Sequence, residues 1–296
     1  MRWIFEYAIR RLFMKRFLLT FLLILLPLTA MGEVFINTPV PESWTEADTL
    51  RITVFKTGES DCILLESGGE SMMMDGGANK WREDLRNALN ARGITHLKYM
   101  LNTHPHDDHI DGLYRIMQFG FTADEFLSPF KESFSHDLHS RTVRQAEKSA
   151  IPYRQLFEND QLTLGNTTLT MHRWEDGSSI NDKSGLFRVE FGNASALMCA
   201  DVTGLAQRYL MENLAADELK ADVIKVPHHG LTACVKEFLD AVNPNFAVIT
   251  NYKTDTPAMV NQLQYRNIPF MHSGSGTVTM ETDGTDWYIN QVLKTF

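Results

Sequence analysis

Asn102-Thr103-His104-Pro105-His106-Asp107-Asp108-His109-Ile110-Asp111-Gly112 packs His104, His106, Asp108 and His109 into six residues. It follows the mostly apolar run Leu97 to Leu101, which reads as a buried strand. Pro105 keeps the chain out of a helix, so His104 and His106 point the same way on extended backbone. Asp108 and His109 stand where helical spacing begins, through Leu113, Ile116 and Met117. Imidazole and carboxylate are preferred ligands of zinc and its neighbours. The strand is expected to aim His104 and His106 at one cation and the turn to aim Asp108 and His109 at a second.

The pattern His-x-His-x-Asp-His, here His104, His106, Asp108 and His109, resembles the signature of the metallo-β-lactamase superfamily. That resemblance implies an α/β fold, a four-layer αββα sandwich, and a hydrolase holding one or two zinc ions, with manganese as the alternative. Leu50 to Phe55, Cys62 to Glu66 and Met72 to Met74 read as successive strands, and the third ends in Asp75-Gly76-Gly77 as the family's opening does. Asp75 is expected either to orient a metal-bound histidine or to close its own turn. Trp81 to Arg92 and His136 to Ala150 have helical spacing.

Further along, Ala194 to Met198 is a buried-type strand ending in Cys199-Ala200-Asp201 before the helical run Gly204 to Leu214. Taken alone Asp201 is a helix N-cap; the resemblance makes it the carboxylate that bridges both cations. The strand Ala221 to Val226 leads into Pro227-His228-His229-Gly230, which resembles the hydrolase domain of the competence proteins, a family that takes up DNA. Neighbouring residues on extended backbone face opposite ways, so one histidine of the pair binds metal and the other reaches the substrate. The residues leave open which; the working assignment gives His228 to the second cation and makes His229, with Asp108, catalytic. Many superfamily members carry a third histidine for the first cation near the strand Ser184 to Phe191. None stands there, and Asn181-Asp182-Lys183-Ser184 instead has the competence-type Asn-x-x-Ser spacing. Asn181, Ser184 and Asn251 are therefore expected on the substrate side. The His-Pro pair that follows Asn-Tyr in the family is Thr256-Pro257 here. His136, His139 and His172 lack ligand-like context and are expected at the surface.

Arg10, Arg11, Lys15 and Arg16 precede the apolar run Phe17 to Leu28, and Ala30-Met31-Gly32 offers a cleavage site, so residues 1–32 read as a secretory signal. An uncleaved anchor is the alternative. Those residues carry five of the basic side chains and one of the acidic ones, so the remainder has net charge −13 against −9 for the whole chain. So acidic an exported protein has no general electrostatic pull on nucleic acid or anionic lipid, and no stable membrane span after cleavage. Cys62, Cys199 and Cys234 are odd in number and far apart, and the apolar neighbours of the first two suit buried thiols. No linker or repeat divides residues 33–296, which are expected to form a single hydrolase domain.

The chemistry that follows is hydrolysis with a metal-bridged hydroxide, since cations lower the pKa of bound water toward about 7. The competence-type motifs favour a small or polymeric phosphodiester. The alternatives are a lactone, thioester or β-lactam hydrolase, and a non-catalytic metal-binding module with a degenerate site.

Overall fold

Two blocks of parallel strands decide where the chemistry sits. The computed structural model describes residues 32–296, so the expected signal lies, but for Gly32, outside the described residues. In chain order the strands are β1 (Val34–Ile36), β2 (Leu50–Val54), β3 (Cys62–Ser67), β4 (Glu70–Gly76), β5 (His96–Leu101), β6 (Thr122–Ser128), β7 (Tyr153–Gln155), β8 (Gln161–Leu164), β9 (Thr167–His172), β10 (Leu186–Phe191), β11 (Ala194–Met198), β12 (Val223–Lys225), β13 (Phe246–Ile249), β14 (Phe270–His272), β15 (Gly276–Thr282) and β16 (Trp287–Leu293). One sheet has the order β1-β16-β15-β2-β3-β4-β5-β6-β7 and the other β14-β13-β12-β11-β10-β9-β8.

Within the first sheet β4 to β7 run parallel, and within the second β11 to β14 do. Every residue of β11, β12 and β13 is buried, as parallel strands covered on both faces require. Ligand sites in such sheets form at the carboxyl ends of parallel strands. Asp75, His104, Asp201, His229 and Thr250 all lie at or just beyond such ends.

Seven α-helices are present among the described residues: α1 (Arg82–Ala91), α2 (Asp107–Gln118), α3 (Asp137–Lys148), α4 (Gly204–Asn213), α5 (Ala216–Leu219), α6 (Lys236–Val242) and α7 (Pro257–Tyr265). The core falls into three apolar layers. One, with Ile52, Met72, Val189 and Val248, lies between the sheets. A second, with Leu64, Met100, Leu85 and Ile116, joins the first sheet to α1 and α2, and a third, with Leu197, Ile224, Leu210 and Phe238, joins the second sheet to α4 and α6. Three apolar layers separate four structural ones, so this is the αββα sandwich. Each fully buried Leu, Ile or Phe contributes about 1.5–3 kcal/mol.

Helix α2 meets β4 through bare backbone. A Cβ on Gly112 would lie 1.8 Å from the Gly76 carbonyl oxygen, and one on Gly76 would lie 2.3 Å from the Leu113 nitrogen. The Gly112 N–H donates to Gly77 O at 2.8 Å. Only this close approach brings the first turn of α2, with His109, against Asp75.

Several local expectations change. Residues Glu33 to Asp48, a polar stretch with Pro39 and Pro41 that reads as an extended surface lead-in, contain β1, which pairs with β16. Strand β6 and helices α6 and α7 were not foreseen. His139 and His172 are buried rather than exposed: His139 Nε2 lies 3.0 Å from Lys131 O, and His172 Nδ1 lies 2.9 Å from Glu158 Oε1. Each ring has a polar partner, Lys131 O or the exposed Glu158 carboxylate, which lowers the penalty that would otherwise keep an imidazole at the surface.

Candidate metal centre

After β5 the chain bends at Thr103 and His104 and is extended at His106, whose φ of −77° and ψ of 153° precede α2. His104 Nε2 and His106 Nδ1 consequently converge to 3.1 Å. His109, in the first turn of α2, turns Nδ1 to Asp75 Oδ2 at 2.8 Å. Asp75 is fully buried and also accepts from Asn102 Nδ2, the Thr103 N–H and the Thr103 hydroxyl. Of the two expectations for Asp75, the geometry matches the one in which it orients a histidine.

Asp201, after β11, reaches both groups of imidazoles. Its Oδ2 lies 3.5 Å from His104 Nε2 and 3.8 Å from His228 Nε2, and its Oδ1 lies 3.3 Å from both His109 Nε2 and His229 Nε2. His109 Nε2 and His229 Nε2 face each other at 3.2 Å, and His229 Nε2 is 3.0 Å from Asp108 Oδ2. Two sets of side chains thus offer ligand atoms within 4.8 Å of one another: His104, His106 and Asp201, and a buried set of Asp61, His109, Asp201 and His229.

The histidine pair is not extended. His228 has φ 48° and ψ 49°, and His229 has φ 52° and ψ 16°. Left-handed backbone costs an ordinary residue about 1–2 kcal/mol, and such strain concentrates at functional sites. The turn buries His229 against the cluster and leaves the His228 side chain one-third exposed, 3.4 Å from Asn181 Nδ2. Alternation along a strand left open which histidine of the pair faces the metal, and the working assignment gave the second cation to His228; the turn instead places the His229 ring inward and the His228 ring at the rim.

Among the residues expected on the substrate side, only Asn181 touches the rim. Ser184 is buried and its hydroxyl donates to Asn181 O, holding the 173–185 loop. Asn251 is buried, with Oδ1 accepting from the Tyr252 N–H. Thr256 is buried against His272 Nε2 at 2.9 Å.

Asp61 and Lys225 escaped the sequence reading. Lys225 is wholly buried; its ammonium pairs with Asp61 Oδ2, donates to Ala200 O at 2.8 Å and stands 4.0 Å from Asp201 Oδ1. Asp61 Oδ1 lies 3.2 Å from His229 Nδ1, which is also 3.0 Å from Thr250 Oγ1. A lone lysine within Val223-Ile224-Lys225-Val226 and an acid just ahead of Cys62-Ile63-Leu64 were the available signals.

The electrostatics are those of a cation site. Burial resists ionisation of Asp201, yet His229, His109 and His104 hold it well below the usual carboxylate range. Burial likewise opposes charge on His109 and His229, but the surrounding carboxylates, Asp201 foremost, raise both imidazoles. Burial pushes His104 down to about 4. Asp201 Oδ1 is buried without a hydrogen-bond donor. Zinc binds nitrogen and oxygen at 2.0–2.2 Å, so ligand atoms in a tetrahedral site stand about 3.3–3.5 Å apart. The separations of 3.0–3.7 Å among Asp108, His109, His229 and Asp201 bracket that spacing, and facing ring nitrogens need a shared cation or proton. The residues fit a divalent metal.

Residues 56–249 match the Metallo-beta-lactamase superfamily. The chain belongs to that superfamily. The matched stretch contains every side chain of the centre, from Asp61 to His229. "ComE operon protein 3" of Bacillus subtilis is 24% identical over 65% of this chain and 26% of its own length. "Competence protein ComA" of Neisseria gonorrhoeae is 23% identical over 79% of this chain and 32% of its own length. The chain thus spans a quarter to a third of these relatives. In fold it resembles the metallo-β-lactamase fold protein YhfI from Bacillus subtilis, with TM-score 0.55, 14% identity and coverage of 79% of this chain and all of that one. It also resembles CmlA, a diiron β-hydroxylase from Streptomyces venezuelae, with TM-score 0.53, 15% identity and coverage of 83% of this chain and 55% of that one. Members of the superfamily are mostly metal-dependent hydrolases.

Proposed function

We propose that the chain is an exported, metal-dependent hydrolase of phosphodiesters. The observation that carries the reading is Asp201, whose two oxygens face separate groups of histidines in one buried cluster. When bound there, zinc or manganese supplies Lewis acidity and lowers the pKa of water toward about 7.

The chain's own residues divide the remaining work. Asp75 fixes the tautomer of His109 so that Nε2 presents a lone pair, and the pair Asp61 and Thr250 does the same for His229. His104, His106 and Asp201 would hold one cation. Asp108, His109, His229 and Asp201 would hold the other. The Asp108 side chain is one-quarter exposed, so it also meets the attacking water. His228, on the open side beside Asn181, is placed to meet the leaving oxygen of the substrate. The competence-type motifs and the two competence relatives favour phosphodiesters, and the acidic surface favours a small ester over long nucleic acid.

The test is a screen of the metal-loaded chain against bis-p-nitrophenyl phosphate, single-stranded DNA, p-nitrophenyl phosphorylcholine, a lactone and a chromogenic cephalosporin. Turnover of a phosphodiester is the expected result. Metal binding without turnover of any of these would favour a binding module. Among the described residues no helix is long and apolar enough to cross a membrane. Export rests on the sequence of residues 1–32, and amino-terminal sequencing of the exported protein should begin near Glu33; an intact amino terminus in the membrane fraction would overturn cleavage.

A further inference from the structure

Among the described residues, Lys225 is the largest charged side chain wholly out of water. Burying an ammonium costs several kcal/mol unless it is well paired, and a fourth carboxylate beside the cluster would be expected to take metal. Asp61 is such a carboxylate, within ligand distance of His109, Asp201 and His229. It lies on the Nδ1 side of His229, however, while Asp108 and Asp201 lie on the Nε2 side. One Asp61 oxygen is taken by the Lys225 ammonium and the other faces His229 Nδ1. The ammonium also donates to Ala200 O, one residue before Asp201, so it ties the turn carrying Asp201 to the turn carrying Asp61.

We propose that Lys225 is a positioning residue which acts as a built-in monovalent cation, keeping Asp61 out of the metal's coordination shell and leaving it to orient His229. Charge balance requires the same arrangement. With Asp61 neutralised by Lys225, the carboxylates left to face the cations are Asp108 and Asp201, with Asp75 held one step back by His109. Without the ammonium, Asp61 is a buried anion whose nearest cation is the metal. Lys225 therefore sets which carboxylate, Asp108 or Asp61, completes the second site. Asp108 is the one with access to solvent and substrate.

The proposal rests on the metal-centre reading, so the experiment separates the two. Cobalt(II) is titrated into the full chain and into the variants Lys225→Met, Asp61→Asn and the double variant, following visible absorption, with thermal melts of each. Wild type failing to bind cobalt overturns the metal-centre reading itself. If wild type binds, Lys225→Met should bind tighter by about 10-fold, with a weaker, shifted spectrum as an oxygen ligand is added. Asp61→Asn leaves an unpaired ammonium beside the site and should bind about 10-fold more weakly. The double variant removes both charges and should return the wild-type spectrum and affinity, even if it melts at a different temperature. Should Lys225→Met fail to fold, Lys225→Gln, which keeps a donor for Asp61 and Ala200, takes its place with the same expected direction. Single variants that change only the melting temperature would overturn the proposal, as would a double variant whose spectrum follows Lys225→Met.

Discussion

His109 Nδ1 and Asp75 Oδ2 meet at 2.8 Å across 34 residues of sequence, both side chains wholly buried. The same carboxylate accepts from Asn102 and twice from Thr103, so one aspartate ties the end of β4 to the loop carrying His104 and to the helix carrying His109. Its φ of 56° is paid for by those four contacts. Asp75→Ala should weaken metal binding by about 10- to 100-fold and destabilise the chain on the order of 2–4 kcal/mol through lost hydrogen bonds to a buried charge. Metal titration and denaturant unfolding of the variant measure both effects; unchanged metal affinity would sink the orienting role.

Asp108, His228 and His229 should separate by their kinetics. Asp108→Ala is expected to lower the rate by about 10³ or more, at least about 4 kcal/mol. His228→Ala should cost about 10² to 10³ on esters with poor leaving groups and little on p-nitrophenyl esters, whose leaving oxygen needs no proton. His229→Ala should instead lose bound metal, read by elemental analysis. If His228→Ala loses metal and His229→Ala retains it, the assignment of the pair is reversed.

The stability of the chain should depend on pH through His272, away from the cluster. Burial, with Lys253 adding to it, pushes that imidazole down to about 4, against an ordinary value near 6.5 in the unfolded chain. Between those values the unfolded state binds the extra proton. The contribution is therefore complete above about pH 6.5 and is lost as pH falls toward 4. In His272→Gln, which keeps an acceptor for the Thr256 hydroxyl, the drop in melting temperature between pH 7.5 and 4.5 should be smaller than in wild type. Equal drops would contradict it.

Much of this was legible in the chain. Short-range patterns mark β5, the start of α2 and the strands before Asp75, Asp201 and the histidine pair, because apolar runs and turn residues act locally. Helices α6 and α7 were missed because they are short and lie among loops whose partners are distant in sequence. His139 and His172 were misplaced because a polar side chain's burial depends on a partner that tertiary packing supplies.

The residue types and spacing of His104, His106, Asp108 and His109 marked a candidate metal site within one strand-to-helix turn, and the resemblance of that pattern to the superfamily's signature implied the sandwich fold. Only the tertiary structure decided the orientation of each ring. The left-handed turn at His228 and His229 depends on β12 ending against β11 and β13, and the match of Gly76 to Gly112 on a helix lying flat on a sheet. The pairing of Lys225 with Asp61 joins residues on different sheets. Each depends on segments far apart in sequence, where local propensity carries no information and packing does.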